Sequence, residues 1–411
     1  MGSILIEGYK KREKVEIALP GSKSESNRVL IINKMCDFPG EISNLSEARD
    51  TRIMQALLFS DNEKNIYNVK DAGTVMRFIT AYLAIQNQPS RITGSDRMLE
   101  RPIGLLVDAL TTIGANIKYS GKTGYPPLQV HPFSQQLETT ITIPGNISSQ
   151  FISALLLIAP RLEKGLTIQI DGNLVSKPYV EMTCALLEHF GISIDRTETG
   201  FVIEHQSYSF HPYSVESDWS AASYWYSMFV LGSREKLILK GLRANSLQGD
   251  SILAKMMKSF GVKTQYTKEG VELSKQPPNL PNHLDFIQCP DLAQTFIVLC
   301  AALSHQCRFK GLQTLKIKET DRIAALQNEL KKLGAQLVER TDDWQLSFLQ
   351  NCPSIPERLT INTYHDHRMA MSFAPLALLC NVHVDDSGVV EKSYPGFWND
   401  LRLAGFRVRH I

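Results

Sequence analysis

Five glycines at nearly constant spacing constrain this chain more than any other feature. Gly114, Gly191, Gly261, Gly334 and Gly405 lie 70 to 77 residues apart, and each follows an amphipathic segment and precedes an alternating apolar run. Glycine adopts the left-handed backbone that ends a helix at little cost, so each one marks a helix C-terminus. The spacing therefore predicts an internal repeat of about 70 residues.

A second class of helix recurs in the same frame and is apolar on nearly every side. Its six members are SNRVLIINKM, GTVMRFITAYLAI, SSQFISALLLIAP, DWSAASYWYSMFVL, DLAQTFIVLCAAL and DHRMAMSFAPLALL. Helices of this kind are buried, and the Ser, Thr, Asp and Asn at their starts favour capping of free N–H groups. Six such helices predict six units. The sixth amphipathic partner is DTRIMQALLFSD (residues 50–61), which lacks the glycine.

Short alternating runs between these helices predict strands: ITIPG, LTIQI, LILKG and LTINT. Six β/α units predict an α/β (α+β) protein with two domains of three units each, helices inside and sheets outside. A chain of 411 residues is also too long for one ordinary core. The pattern leaves open a single doubly wound α/β sheet, because strand order is not visible in a sequence.

Composition excludes several classes of function. The chain is 43% hydrophobic and 21% charged with a net charge of +2, so bulk attraction to nucleic acid or to a membrane is not expected. No apolar run is long enough for a membrane span, and the N-terminal sequence shows no targeting signal, which predicts a cytoplasmic protein. Seven cysteines without a C-x-x-C pair predict buried, reduced thiols. They are Cys36, Cys184, Cys289, Cys300, Cys307, Cys352 and Cys380.

The starts of the six buried helices, called heads below, hold the most polar clusters of the chain. A helix N-terminus carries free N–H donors and about half a positive charge. Full positive charges lie on or beside these heads, at Lys23, Arg28, Arg77, Arg97, Lys318, Arg322, Arg368 and Lys392. Each motif alone also fits a cap, a turn or a solvated helix start. Together they predict an anion site, since packing gives no reason to place cations at the heads of buried helices.

Carboxylates near the heads, Asp218, Asp291 and Glu319, add groups that move protons. No G-x-S-x-G elbow and no G-x-G-x-x-G loop occurs, so neither hydrolase nor nicotinamide chemistry is indicated.

The stretch YHDHRMAM raises the question of a metal site. His365 and His367 are two residues apart at a helix start and point in different directions, and no other Cys/His cluster completes a ligand set. We therefore predict Asp366 as the cap, Arg368 as an anion ligand and His367 as a hydrogen-bond donor to phosphate or carboxylate. His365 receives no role, and Pro375 is expected to kink the helix.

Ten motifs occur in the order found in one enzyme family. They are LPGSKSESNR, DAGTVMR, GSDRMLERPIGLLVDAL, PGNISSQF, SKPYVEMT, QGD, PDLAQT, KETDRI, YHDHRMAM and KSYPGF, spanning Leu19 to Phe397. The chain thus resembles the 5-enolpyruvylshikimate-3-phosphate synthase family, a group of shikimate-pathway transferases. The resemblance implies two domains of three βαβαββ units with the active site in the interdomain cleft. One domain would be residues 1–19 with 217–411, and the other residues 20–216.

The resemblance also implies an activity. The enolpyruvyl group of phosphoenolpyruvate would pass to the 5-hydroxyl of shikimate 3-phosphate, releasing phosphate. No metal or organic cofactor is implied, the two substrates are the only partners, and the protein would be a monomer. By the family's motifs, shikimate 3-phosphate would be held by Ser24, Arg28, Ser148, Ser149, Gln150, Ser176 and Tyr179. Phosphoenolpyruvate would be held by Lys23, Gly73, Arg97, Arg322, Arg368 and Lys392.

By the same motifs, Lys23, Asp291 and Glu319 would act in catalysis. Asp291 would orient or deprotonate the 5-hydroxyl, with Lys318 beside it sharing that role. Glu319 would handle the proton at the methylene carbon, and Lys23 would assist the departing phosphate.

The chain departs from the family pattern at Asp71, where Asn is usual, and at Phe78, where Pro is common. The short segment between Asp50 and Asp71 predicts that the second unit is abbreviated. Two alternatives remain open: a UDP-N-acetylglucosamine enolpyruvyl transferase, for which a reactive loop cysteine is expected, and a non-catalytic anion-binding homologue.

Overall fold

The computed structural model describes residues 2–9, 15–60, 65–349 and 355–411. The chain divides into two compact units. The discontinuous unit comprises Met1–Ser22 and Glu216–Ile411, and the inserted unit comprises Lys23–Val215. Among the predicted buried cysteines, Cys352 lies outside the described residues. Of the other six, all free thiols, only Cys380 is partly exposed.

These limits differ slightly from the domain limits expected above, and backbone pairing explains the difference. Gly21 forms an antiparallel bridge with Ser217, and the Ser22 N–H donates to the Glu216 carbonyl at 2.8 Å. Both connecting segments are therefore fixed within the discontinuous unit, and the inserted unit begins only at Lys23.

The helices and strands follow the order expected of a repeat. The α-helices are α1 (Lys23–Met35), α2 (Arg49–Phe59), α3 (Gly73–Ala84), α4 (Asp96–Leu99), α5 (Gly104–Ile113), α6 (Ser149–Ile158), α7 (Lys177–His189), α8 (Trp219–Leu231), α9 (Leu253–Lys258), α10 (Ala293–Ala302), α11 (Arg322–Lys331), α12 (His367–Phe373) and α13 (Phe397–Leu403). Short 3-10 helices follow or precede several of them.

The first twelve strands are β1 (Ile4–Tyr9), β2 (Glu16–Ala18), β3 (Ile42–Ser43), β4 (Ile66–Asn68), β5 (Ser90–Thr93), β6 (Ile117–Tyr119), β7 (Leu128–Val130), β8 (Thr140–Pro144), β9 (Leu166–Asp171), β10 (Asp195–Thr197), β11 (Gly200–Ile203) and β12 (Tyr213–Ser214). The rest are β13 (Lys236–Lys240), β14 (Val262–Tyr266), β15 (Gly270–Lys275), β16 (His283–Asp285), β17 (Cys307–Lys310), β18 (Ala335–Glu339), β19 (Trp344–Phe348), β20 (Arg358–Ile361), β21 (Asn381–Val384) and β22 (Phe406–His410). The four predicted strand runs are confirmed.

Five four-stranded sheets share one topology, which confirms the βαβαββ repeat. In the sheet β16-β17-β19-β18, the strands β16 and β17 are parallel and the other two pairs are antiparallel. The buried helix α10 connects the parallel strands, as a parallel pair requires. The surface helix α11 then leads to the hairpin β18-β19. The sheets β4-β5-β7-β6, β8-β9-β11-β10, β2-β13-β15-β14 and β20-β21-β1-β22 repeat this arrangement.

The prediction that the second unit is abbreviated is wrong, because that unit, with α3 and α5, has the complete sheet β4-β5-β7-β6. The abbreviated unit is instead the first in chain order. Its helices are α1 and α2, and its sheet within the described residues is the parallel pair of β3 with β12. The N-terminal strands complete two sheets of the discontinuous unit. Strand β1 lies between β21 and β22, and β2 pairs with β13.

Each unit has its own core, with helices inside and sheets outside. Helices α1, α3 and α6 pack on one another in the inserted unit, and α10 packs on α8 and α12 in the discontinuous unit. The strands bury alternate residues, as β8 does with Ile141 and Ile143, so their other faces meet solvent. No sheet in the described part of the chain exceeds four strands, and the single doubly wound sheet is therefore wrong.

The glycines that suggested the repeat all have the backbone conformation expected of them. Their φ angles are 121° at Gly114, 85° at Gly191, 85° at Gly261, 67° at Gly334 and 105° at Gly405. Other residues reach this region only at a cost, so each glycine ends its helix and starts the turn into the next strand.

Candidate active site

The head of α1 places a lysine and a buried carboxylate together in the inserted unit. The Lys23 ammonium lies 3.2 Å from Asp50 Oδ2, at the start of α2. The side chain of Asp50 is almost inaccessible, whereas that of Lys23 keeps 15% of its surface exposed. This pair holds the ammonium at the head of α1 and leaves it accessible to a ligand.

Arg28 lies one turn further along α1 and is buried. Its guanidinium donates to Thr183 Oγ1 at 2.7 Å, to Ser153 Oγ at 3.2 Å and to the carbonyl oxygens of Ser24 and Tyr179. Burial lowers the pKa of Arg28 to about 10. The family pattern assigns Arg28 to shikimate 3-phosphate, and the structure adds that Arg28 joins the head of α1 to α6 and α7.

The heads of α3 and α6 are linked by a hydrogen bond. The Gln150 Nε2 donates to Thr74 Oγ1 at 3.2 Å. Ser148 caps α6 through a bond from the Gln150 N–H, and Ser149 beside it is buried. The serine pair and the glutamine therefore lie at one helix head, with hydroxyl, amide and backbone donors available to one anion.

Two further residues assigned by the family motifs lie at the start of α7. Ser176 is buried and has the left-handed backbone, with φ 53° and ψ 36°. A non-glycine residue in this conformation is uncommon and often functional. The carbonyl of Tyr179, one turn later, accepts hydrogen bonds from Arg28, Ser153 and Thr183.

Two further arginines of the inserted unit that the sequence placed at or beside helix heads differ in exposure. Arg77 is buried in α3 and donates to the carbonyl oxygens of Gly73 at 3.1 Å and Pro102 at 2.9 Å. The side chain of Arg97 is 44% exposed and forms an ion pair of 2.9 Å with Glu100. Arg97 is thus held at the surface by a neighbour on the same turn.

In the discontinuous unit, Arg322 is surrounded by carboxylates. Its Nε lies 2.6 Å from Asp366 Oδ2, its Nη2 lies 2.9 Å from Glu319 Oε2, and its Nη1 lies 3.3 Å from Asp291 Oδ1. Burial alone would lower the pKa of Arg322, but the three carboxylates raise it above its ordinary value. Arg322 therefore fixes the two predicted proton-transfer groups, Asp291 and Glu319, side by side.

Asp291 is the centre of a second set of contacts. Its Oδ2 lies 2.9 Å from Arg368 Nη2, and its Oδ1 lies 3.9 Å from Lys318 Nζ. Burial would raise the pKa of Asp291, but the charges of Arg368, Lys318 and Arg322 hold it well below its usual range. The carboxylate is therefore ionised near neutral pH and acts as a hydrogen-bond acceptor.

The head of α12 confirms the predicted cap. Asp366 Oδ1 accepts from the Arg368 N–H at 2.8 Å, and the same side chain pairs with Arg322. The two histidines diverge: the side chain of His365 is 78% exposed and that of His367 is 1% exposed. No group of three potential metal-ligating side chains occurs among the described residues. After Phe373 the α-helix gives way to the 3-10 helix Ala374–Leu378, which contains Pro375, the residue at which a kink was predicted.

Three further residues lie beside Arg368. Its guanidinium is 3.3 Å from Ser220 Oγ and 3.3 Å from the Tyr224 hydroxyl. Ser220 in turn donates to the buried carboxylate of Asp250. Burial, aided by the charge of Asp291, raises the pKa of Asp250 to about 7.

The last predicted residues of the discontinuous unit have simpler surroundings. Asp218 is the cap of α8, accepting from the Ala221 N–H at 2.8 Å. Lys392 is buried at the end of the 3-10 helix Ser387–Lys392, which packs on α12. Both sets of heads thus present cations and free helix N–H groups, and the discontinuous unit adds the carboxylates of Asp291 and Glu319.

Comparison with known proteins identifies the family. The profile of EPSP synthase (3-phosphoshikimate 1-carboxyvinyltransferase) matches residues 56–401. The 3-phosphoshikimate 1-carboxyvinyltransferase of Bacteroides fragilis is 45% identical over 404 residues, which is 96% of both chains. The chain belongs to the EPSP synthase family. That full-length relative extends the match to the head of α1, which precedes the region matched by the profile.

Solved structures of this family and of a related transferase share the fold. EPSP synthase from Acinetobacter baumannii superimposes with a TM-score of 0.79 at 18% identity, covering 100% of both chains. The enolpyruvyl transferase NikO from Streptomyces tendae gives a TM-score of 0.74 at 15% identity, covering 100% of this chain and 99% of that one. The predicted inside-out enolpyruvyl transferase fold is confirmed.

Several polar residues of the two sets of heads were missed by the sequence reasoning. They are Asp50, Ser153, Thr183, Ser220, Tyr224 and Asp250. Asp250 stands in the QGD motif and Ser220 in a recognised helix head, so for these two a signal existed. Thr183 and Ser153 lie within helices that read as plain core, and only their contact with Arg28 reveals them.

None of the helices that the structure describes is long and apolar enough to cross a membrane.

Proposed function

We propose that this chain transfers the enolpyruvyl (1-carboxyvinyl) group of phosphoenolpyruvate to the 5-hydroxyl of shikimate 3-phosphate, releasing phosphate. The observation that carries the proposal is the arrangement around Arg322, which holds Asp291 and Glu319 next to each other. The family membership supplies the substrates, and these two carboxylates supply the proton transfers that the reaction needs.

Charge supports the substrate assignment. Phosphoenolpyruvate and shikimate 3-phosphate together carry about five or six negative charges near neutral pH, and their mutual repulsion must be offset. In the inserted unit, Ser24, Arg28, Ser148, Ser149, Gln150, Ser176 and Tyr179 would hold shikimate 3-phosphate. Lys23, Gly73 and Arg97 of that unit, with Arg322, Arg368 and Lys392 of the discontinuous unit, would hold phosphoenolpyruvate. His367 would donate to a phosphate or carboxylate oxygen.

The reaction proceeds by addition and elimination. A proton is added to C3 of phosphoenolpyruvate while the 5-hydroxyl oxygen bonds to C2 and loses its own proton. The C3 proton is then removed as the C2–O bond to phosphate breaks, giving the enol ether and inorganic phosphate. Glu319 would donate and recover the proton at C3, since one positioned acid/base group serves both directions.

Before substrate binds, the charges around Asp291 favour orientation of the 5-hydroxyl over its deprotonation. Arg368, Lys318 and Arg322 lower its pKa, and an anion so strongly stabilised orients a hydroxyl better than it takes a proton. A substrate carboxylate bound by Arg368 would compensate part of that positive charge. The pKa of Asp291 would then rise, and the base role, shared with Lys318, would become available.

Lys23 has the surroundings expected of a group that assists a departing phosphate. Asp50 keeps its ammonium in position, and the lysine remains partly exposed. As the C2–O bond breaks, additional negative charge develops on the departing phosphate, and the ammonium stabilises this charge more in the transition state than in the bound ester.

We further propose that the residues of both units act on one substrate pair in the interdomain cleft, in a cytoplasmic monomer. Free and mostly buried cysteines among the described residues suit a reducing compartment. Sedimentation of the full chain measures the oligomeric state, and a dimer at working concentration would contradict the monomer.

The experiment that tests the function measures phosphate release from phosphoenolpyruvate with and without shikimate 3-phosphate. We expect release only when both are present, together with an equal amount of the enol ether. The matched control replaces the acceptor by UDP-N-acetylglucosamine, which separates this activity from that of the related transferase. Release with that acceptor alone, or with neither, would refute the proposal.

A further inference from the structure

A buried arginine that no motif assignment uses lies at the head of α3. Arg101 is 8% exposed and follows the short helix α4, where its N–H donates to the Met98 carbonyl at 3.1 Å. A methyl group on Gly73 would lie 2.6 Å from Arg101 Nη1 and 2.7 Å from Nη2. The guanidinium therefore packs directly on the first residue of α3, and it can do so only because that residue is glycine.

The side chain of Arg101 has no hydrogen-bond acceptor and no ion-pair partner within the part of the chain that the structure describes. Arg28 differs, since it donates to two hydroxyls and two carbonyls, and Arg322 differs because it faces three carboxylates. The Nε of Arg101 is inaccessible and unpaired, which is unfavourable, while its two terminal nitrogens are not among the inaccessible atoms and can bind a group that the chain itself does not supply.

The surroundings of Arg101 specify a negatively charged group. Ala72 precedes α3 and caps none of its N–H groups through a side chain, so free donors of a twelve-residue helix face the same point. Arg77, one turn into α3, also contacts Gly73, donating to its carbonyl oxygen at 3.1 Å. Two arginines and a helix N-terminus around one glycine repel one another unless an anion lies among them.

We propose that Arg101 binds the phosphate group of phosphoenolpyruvate at the head of α3, together with the N–H groups of Gly73 and Thr74. This assignment rests on the proposed function and adds a residue to it. A guanidinium suits the task because its planar fork donates to two phosphate oxygens at once. Arg97, on the same turn, is exposed and paired with Glu100, so Arg101 is the arginine already placed at the glycine.

Steady-state kinetics of Arg101→Gln and Arg101→Lys test the assignment. We expect KM for phosphoenolpyruvate to rise roughly 10- to 100-fold in R101Q, as loss of a hydrogen bond to a charged group predicts. Lysine keeps the charge but loses the fork, so R101K should show a smaller rise. KM for shikimate 3-phosphate should change less than about threefold. The matched control is Arg91→Gln, an exposed arginine on β5 of the same unit, which should change neither KM.

A purely structural role predicts a different result, because misfolding would lower the thermal unfolding midpoint and affect both substrates together. Added guanidinium ion should lower KM for phosphoenolpyruvate in Arg101→Ala and have no such effect on R91Q. Gly73→Ala should raise the same KM by displacing the Arg101 side chain. Its effect should be much smaller in the R101Q background, since neighbouring residues that act together are not additive.

Titration of the full chain with inorganic phosphate, followed by ³¹P NMR line width, separates this assignment from the catalytic one. We expect R101Q to weaken phosphate binding by about tenfold or more relative to the wild type and R91Q. Unchanged phosphate binding and unchanged KM in R101Q would overturn the role of Arg101. A third outcome is that phosphate binding depends on Arg101 while the wild type shows no shikimate-dependent phosphate release. That outcome would overturn the proposed function but would support the anion site at Arg101.

Discussion

The two units surround their buried arginines with different groups. In the discontinuous unit, Arg322 lies within 3.3 Å of three carboxylates, and Arg368 pairs with one of them. In the inserted unit, the guanidinium of Arg28 donates to hydroxyl and carbonyl oxygens. The guanidinium of Arg101 packs on a glycine and bonds to no described residue.

The difference separates two tasks. Neutral oxygens position an arginine without cancelling its charge, so the heads of the inserted unit keep their positive potential for phosphate groups. Carboxylates cancel the charge of the arginine, but they are also the groups that accept and donate protons. In the proposed function, the discontinuous unit therefore carries the proton-transfer residues, and its arginines keep those residues in place.

The largest expected effect comes from removing a proton-transfer group. In Glu319→Gln, kcat should fall by about 10²- to 10⁴-fold, the usual contribution of general acid–base catalysis, while shikimate 3-phosphate still binds. Phosphate-release kinetics and equilibrium binding measure the two quantities. The control is Glu339→Gln, an exposed glutamate of the same unit that pairs with Lys316. Unchanged kcat in E319Q would remove Glu319 from the mechanism.

The contrast between Arg322 and Arg28 is measurable as a difference in the free energy of unfolding of their variants. Arg322→Gln leaves Asp366, whose side chain is fully buried, without its cation, and breaking a buried pair costs about 3–5 kcal/mol. Arg28→Gln leaves only neutral oxygens unpaired, at about 1–3 kcal/mol. Urea unfolding of both variants gives the two free energies of unfolding. A larger loss in R28Q than in R322Q would contradict the contrast between the units.

A smaller effect concerns the pH dependence of stability. Burial raises the folded pKa of Asp250 to about 7, above the ordinary value of 3.8. Between these values the folded protein keeps a proton that the unfolded chain has lost. The free energy of unfolding therefore falls as pH rises from about 4 to about 7. Asp250→Asn should remove this part of the slope, as measured by urea midpoints across the range. Exposed Asp195, replaced by Asn, should leave the slope unchanged, and an unaltered slope in D250N would contradict the prediction.

The smallest effect is expected at the surface of the inserted unit. Arg97 and Glu100 are both largely exposed, so Glu100→Gln should change the free energy of unfolding by less than about 1 kcal/mol. The same change removes this ion pair from Arg97 and should lower KM for phosphoenolpyruvate by less than about twofold. A large rise in that KM would mean that Glu100 positions Arg97 for the substrate.

Much of the fold was predictable because the repeat depends on short sequence patterns that each determine local structure. Three local patterns each predicted one property: glycines predicted positive φ at helix ends, alternating runs predicted strands, and helices apolar on all sides predicted burial. All three predictions are confirmed. The short segment after Asp50 did indicate an abbreviated unit, but the shortening was assigned to the second unit, whereas the first unit in chain order is the short one. The domain limits near Gly21 and Ser217 are set instead by a backbone bridge between residues far apart in the sequence.

The site was predictable in its residue types and less so in its pairings. The cations at the helix heads were recognisable one by one, and Asp366 was recognisable as a cap. The partners of those cations were not, since Asp50, Thr183 and Asp250 are distant in sequence from the residues they contact. Arg101 is the clearest case, because its motif RMLERP places two arginines four residues apart without indicating which one is buried.

The sequence by itself determined the six-unit repeat, the burial of six helices and the gathering of cations at their heads, because these depend on backbone preference and hydrophobic periodicity. Only the tertiary structure decided which charges neutralise one another. Arg322 meets three carboxylates and Arg101 meets none among the described residues, although both are buried arginines near a helix start. Electrostatic energy depends on distances between side chains, and folding brings those side chains together from separate repeats.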